Sequence, residues 1–208
     1  RIIFNGNNYS EEWVKEAEKR GLLNLKTTVD ALPYFISDKN IQLFTKHKVF
    51  TETEIHSRFE ILMENYCKTI KIEALTMLEM AKKEIIPAVC SYMKELSDTV
   101  IAKKALSSEI DCELEKGIVS KLASLSGSLY ERTKQLEESI LGLKTQDPLQ
   151  KQGEYYRDVV IPAMQALRTV ADEIETLVGE KYWPYPTYGQ LLFSVRSEEH
   201  TSELQSLR

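Results

Sequence analysis

The chain has 208 residues, a formal net charge of −5 and a pI near 5.4, with 42% hydrophobic and 28% charged residues. That is an ordinary soluble balance, long enough for one or two domains with a real core. It excludes a nucleic-acid footprint, because basic pairs such as Lys82-Lys83 and Lys103-Lys104 are interspersed with acids. It also excludes a helical membrane span, because no apolar run approaches ~20 residues.

Arg1–Phe4 is a short apolar run before Asn5-Gly6, a strong turn signal; a hairpin is conceivable, but no good partner strand follows. Asn8 or Ser10 is expected to cap a helix over Glu11–Arg20, closed by Gly21 at C′. Leu22–Lys26 reads as a linker with three buried leucines. Thr28 can start a helical turn through Ala31-Leu32, with Pro33 tolerated near such a start. Ser37 caps Asp38–Lys46, with Ile41, Leu43 and Phe44 inward. His47 then sits at a helix C-terminus, where the dipole favours it.

Thr51–Leu96 reads as one very long helix. Thr51-Glu52-Thr53-Glu54 fits a capping box, and Val49-Phe50 can staple against Ile55. Apolar residues recur at Ile55, Phe59, Leu62, Tyr66, Ile70, Ala74, Met77, Ala81, Ile85, Ala88, Tyr92 and Leu96. From Leu62 the spacing approaches an 11-residue repeat rather than a heptad. Such a helix would span ~70 Å. Pro87 lacks a backbone donor and clashes with the preceding turn, so a kink is expected near Lys83–Pro87.

Ser107 or Ser108 is expected to cap a second long helix with apolar positions Ile110, Leu114, Ile118, Leu122, Leu125, Leu129, Leu136, Ile140 and Leu143. Gly117 and Gly127 weaken it, which suggests close packing at both. Thr145–Gly153 reads as a loop. A third long helix follows from about Glu154 to Val178. Its stripe of Tyr156, Val160, Ala163, Leu167, Val170, Ile174 and Leu177 steps by fours and threes, a heptad seam. Pro162 would bend it and Gly179 end it. Tyr182–Phe193 is too aromatic for a free tail and is expected to pack as an extended strap, within its own bundle or on a neighbouring subunit. The fold class is therefore all-α: short N-terminal helices, then an antiparallel bundle of about three long helices and an aromatic strap.

No nucleotide-binding glycine motif, zinc spacing or nucleophile elbow is present. Glu52, His56 and Glu60 lie four apart on one helix face and could offer ligands to a cation. Surface ion pairing is the commoner use of that spacing, so no metal site is assigned. Cys67, Cys90 and Cys112 are odd in number and form no CxxC; reduced, inert packing thiols in a cytoplasmic protein are the simplest account. Met63, Met77, Met80, Met93 and Met164 read as core filler. No catalytic or cofactor-binding residue is assigned. The residues alone give a helical bundle and no reaction.

Arg196–Ser206 resembles the translation of a sequencing-library adapter, so residues 196–208 are expected to be an artefact tail beyond a natural end near Val195. The chain opens on Arg1 and reads as a processed chain or a fragment.

Four segments carry a family resemblance: Arg1–Trp13 (RIIFNGNNYSEEW), Gly21–Lys46 (GLLNLKTTVDALPYFISDKNIQLFTK), Tyr66–Met77 (YCKTIKIEALTM) and Trp183–Val195 (WPYPTYGQLLFSV). They closely resemble the C-terminal region of type III glutamine synthetase, a large form found mainly in bacteria. Lys48-Val49-Phe50-Thr51 is similar to a Gly-Val-Phe-Thr-like turn of ordinary glutamine synthetases. The resemblance implies ATP- and Mg- or Mn-dependent condensation of glutamate with ammonia through γ-glutamyl phosphate, in nitrogen metabolism. It implies catalytic residues upstream of Arg1, an upstream catalytic domain as partner in the same chain, and homo-oligomers of stacked hexameric rings. Residues 1–50 would end the catalytic region and 51–195 form the helical extension, inactive alone. The rival reading is a free-standing helical interaction or sensory module.

Overall fold

The computed structural model describes residues 3–144, 146–186 and 188–193. Arg1 and Ile2 of the conceivable hairpin, and the suspected adapter tail 196–208, lie outside the described residues. Among the described residues the chain is all-α, without a strand. The helices are α1 (Glu11–Lys19), α2 (Thr28–Phe35), α3 (Asp38–Lys46), α4 (Glu52–Met80), α5 (Ile86–Leu106), α6 (Glu113–Leu141), α7 (Leu149–Tyr155), α8 (Ile161–Glu175) and α9 (Tyr188–Phe193). Two π-helical turns, Ala81–Ile85 and Tyr156–Val160, join α4 to α5 and α7 to α8.

The chain forms two compact units, one built from residues up to Leu75 with Glu138–Ala163, the other from Thr76–Glu137 with the chain from Met164 on. In the first, Phe4 stacks on Trp13 with ring centroids 5.0 Å apart, and Arg20 lies over the same indole. α1 ends as its glycine foretells: Gly21 has φ +66, with Leu22 N–H bonded to Ala17 O and Gly21 N–H to Glu18 O. Lys48 ends α3 in the same way. Its N–H donates to Thr45 O, Val49 N–H donates to Phe44 O, and its φ is +54, left-handed for a residue with a side chain.

The Thr51 capping box forms. Thr51 N–H donates to Glu54 Oε2 at 2.7 Å, and Glu54 N–H donates to Thr51 Oγ1 at 3.3 Å. Those bonds hold the Glu54 carboxyl below the usual carboxylate range. α2 starts at Thr28 as expected, with Thr27 as its N-cap, and it continues past Pro33 to Phe35. Pro33 has no N–H for Val29 O, and that carbonyl accepts from Gln150 Nε2 at 3.2 Å instead.

Three segments of this unit meet at Gly153. Val29 and Met63 are fully buried, and a Cβ on Gly153 would lie 2.7 Å from Met63 Sδ and 3.3 Å from Val29 Cγ2. Arg157 then ties the π turn to α2 through Asp30 at 2.5 Å.

In the second unit α6 runs against α5. Lys82 pairs with Glu137 at 2.8 Å, and Lys103 pairs with Glu115 near the other ends. Leu167 of α8 lines a cavity together with Ala81 of the π turn, and further along the chain Gly179 and Tyr182 meet Tyr92 of α5. Leu122, Leu129 and Leu136 of α6 are buried seven apart, in line with Glu115.

The long helix is unbroken from Glu52 to Leu106 except for its π turn, where Ile86 N–H reaches back to Ala81 O. The disturbance expected near Pro87 is therefore a widened turn. Pro162 does the same, with Ile161 N–H on Tyr156 O. The heptad seam expected in the third helix is present, with Tyr156, Val160, Leu167 and Ile174 buried. That helix begins earlier than expected, at Leu149.

The stripe of the long helix is buried as expected at Ile55, Ala74, Ala81 and Ile85, but the 11-residue step that leads to Ala74 and Ile85 starts from Met63, not Leu62, which is 48% exposed. Neither Ser107 nor Ser108 caps α6: Ser107 is the C-cap of α5, its N–H bonded to Lys103 O, and α6 starts at Glu113. Leu114 is 72% exposed, and Leu23 and Leu43 are also exposed. Gly117 and Gly127 face open space, so neither marks a close approach. The aromatic tail is not extended throughout, because α9 occupies Tyr188–Phe193.

Gly153→Ala is expected to cost ~1–3 kcal/mol by overpacking, read as a lower urea midpoint. Lys48→Gly is expected to raise stability by about 1 kcal/mol, because it relieves a side chain held in the left-handed region.

Candidate functional site

Glu52, His56 and Glu60 fall on the exposed face of the first turns of α4. Among the described residues no three His, Cys, Asp or Glu side chains stand together to hold a metal ion. His47 is the C-cap of α3, as its position suggests. Cys67 and Cys112 are buried packing residues, and burial pushes the Cys67 thiol up, away from its reactive form. Cys90 is exposed, contrary to the expectation of three packed thiols.

Two charged clusters are well organised. Thr27 Oγ1 donates to Asp30 Oδ2 at 2.7 Å, and Arg157 bridges Asp30 to Asp158, which it meets at 2.7 and 2.8 Å. Arg157 thereby holds the Asp158 carboxyl below its ordinary range. In the second unit the largely buried Glu115 carboxylate accepts from Lys103, whose pKa is raised by that hydrogen bond. Every formal charge in these clusters has a partner of opposite sign. They dock helices; they are not poised for proton transfer.

The second unit also holds a cavity of about 420 Å³. Met77, Met80, Ala81 and Ile85 of the long helix line one side, and Leu167 and Ala171 of α8 another. Trp183 and Tyr185 close it, their rings edge-on at 6.1 Å. Trp183 Nε1 is buried and has no acceptor among the described residues. The Tyr185 hydroxyl is buried close enough to feel the Glu84 carboxylate, yet makes no hydrogen bond of normal length. Burial, then Glu84, pushes that phenol up to about 12. Met77 and Met80 thus line a cavity rather than fill a core, unlike Met63. The only sequence signal was the density of aromatics in Trp183-Pro184-Tyr185.

The chain matches a family described as the glutamine synthetase C-terminal domain over residues 1–104. It is 46% identical over 203 residues to a glutamine synthetase of Butyrivibrio fibrisolvens, covering 94% of this chain and 28% of that protein. It is 32% identical to a type-3 glutamine synthetase of Dictyostelium discoideum, covering 93% of this chain and 27% of that protein. A glutamine synthetase of Bacteroides fragilis strain YCH46 is 26% identical over the same shares. The chain thus spans between a quarter and a third of the length of these relatives.

The phenol of Tyr185 ordinarily titrates near 10, so its raised value makes the neutral form part of the folded state. Its contribution to stability is complete below about pH 10 and is lost as pH rises towards about 12. Tyr185→Phe should therefore lose less stability than the parent chain between pH 9 and pH 11.5, measured by urea unfolding at each pH.

Proposed function

We infer that this chain, which belongs to the glutamine synthetase C-terminal domain family, is the structural and assembly portion of a type III glutamine synthetase. The observation that carries this reading is the lopsided coverage: similarity runs through 94% of the chain but only 28% of the Butyrivibrio protein. The whole enzyme would ligate ammonia to glutamate with ATP, through γ-glutamyl phosphate, in the bacterial cytoplasm.

The metal ions, Mg or Mn, and the nucleotide belong to residues upstream of Arg1. The described residues do not fit them: no metal cluster exists among them, and the cavity carries Asp172 and Glu175 at its edge, which a triphosphate would avoid. Residues 1–50 would end the catalytic region, and 51–195 form an extension that braces it and shapes contacts within stacked hexameric rings. The commitment of Asp30 and Glu115 to helix docking supports a scaffold role.

Two measurements test this. Calorimetric titration of the chain with ATP and Mg²⁺ should show no micromolar binding; a micromolar isotherm would contradict the assignment. Deleting the segment from Thr51 onward in the full-length protein should shrink the assembly seen by light scattering. An assembly of unchanged subunit number would remove the scaffold role.

A further inference from the structure

We propose that an exposed face of α4 in the first unit is a two-fold contact with a second copy of this chain, the two helices running antiparallel. It gives the assembly role a surface and rests on that reading only for its purpose. The test reads association of this chain alone, so it can fail while the family assignment stands.

Ile61, Leu62, Asn65, Thr69 and Ile72 follow one another at helical spacing and share one face of α4 over ~16 Å. All five are exposed, Ile72 by 65%. The face lies away from the arc of Ile55, Met63, Cys67 and Ala74, which is buried in the core. A solvated helix face ordinarily carries charge; these five positions carry none, and depletion of charge marks the centre of an interface. At one end the face opens into a groove lined by Phe35, Phe50, Arg58, Ile61 and Leu62, with the Arg58 guanidinium 4.5 Å over the Phe50 ring.

The charges at its margins select the occupant. Glu64 pairs with Lys68 at 2.8 Å, while Lys71 and Glu73 have no ion pair among the described residues. When a second copy crosses antiparallel at Asn65–Thr69, Ile72 of each copy comes opposite Leu62 and the groove of the other. The same register sets Glu64 opposite Lys71 and Glu73 opposite Arg58, so charge meets opposite charge at both margins, twice by symmetry. A parallel pair would set Glu73 against Glu73 and Lys71 against Lys71. The face is therefore complementary to itself in the antiparallel orientation. A strip ~16 Å long and one helix wide falls short of the ~800 Å² per partner of a standard stable complex. Association is accordingly expected to be weak, with a Kd on the order of 10–100 µM.

Sedimentation equilibrium of the chain should show its mass rising from 24.0 kDa towards twice that value as concentration increases from about 5 to about 500 µM. Ile72→Lys, at an exposed site, should keep the helical circular dichroism and weaken association at least about tenfold. Glu73→Arg should weaken it roughly fivefold by facing Arg58 with a like charge, and adding Arg58→Glu should restore the parent affinity. That charge exchange decides the matter should Ile72→Lys fail to fold. A single 24.0 kDa species up to about 500 µM would overturn the proposal. So would undiminished association in folded Ile72→Lys, no recovery in the double variant, or a limiting mass beyond the dimer.

Discussion

The first unit depends on a side chain that is absent. Gly153 lets Val29 of α2 and Met63 of α4 close on the backbone of α7, with both partners fully buried. Around this dry contact lie directional ones. Gln150 takes the carbonyl that Pro33 leaves free, and one turn after Gly153, Arg157 takes Asp30. The Arg157–Asp30 pair is partly open to solvent, with side-chain exposures of 28% and 38%, so its Coulomb energy is heavily screened. Packing therefore holds the three segments together, and the polar bonds choose the angle at which they do so.

Proline shapes both long helical runs in one way. Ile86-Pro87-Ala88 and Ile161-Pro162-Ala163 are each preceded by a five-residue π turn that ends two residues before the proline. The ring removes one donor and crowds the carbonyl four residues back. A widened turn relieves the crowding and keeps the preceding N–H bonded, as Ile86 to Ala81 and Ile161 to Tyr156 show. Pro33 solves the same problem differently, by passing its orphaned carbonyl to another helix.

Much of the fold was legible because it rests on local rules. The Thr51 capping box, the Gly21 stop, the seam from Tyr156 to Ile174 and the disturbance before Pro87 each involve residues within a few positions of one another. The misreadings share a different cause. Leu62 and Met63 are both apolar, and only the neighbouring helices decide which one turns inward. Leu43 and Leu114 satisfy a helical period yet lie outside the covered arc. Gly117 and Gly127 face open space, while the close approach is at Gly153, where the pattern of the sequence suggests a loop. A glycine's backbone cost is visible in sequence, but what stands over it is not.

The sequence by itself determined the class of this protein: all-α, with long runs, capped starts and a family resemblance spread over most of its length. Period, capping chemistry and proline geometry act within a turn or two, so they survive without knowledge of the partners. Only the tertiary structure decided the cavity by Trp183, the choice of Met63 over Leu62 and the pairing of Glu115 with Lys103. Each joins residues on different helices. Their meeting depends on which faces bury one another, a property of the packed chain that no single segment encodes.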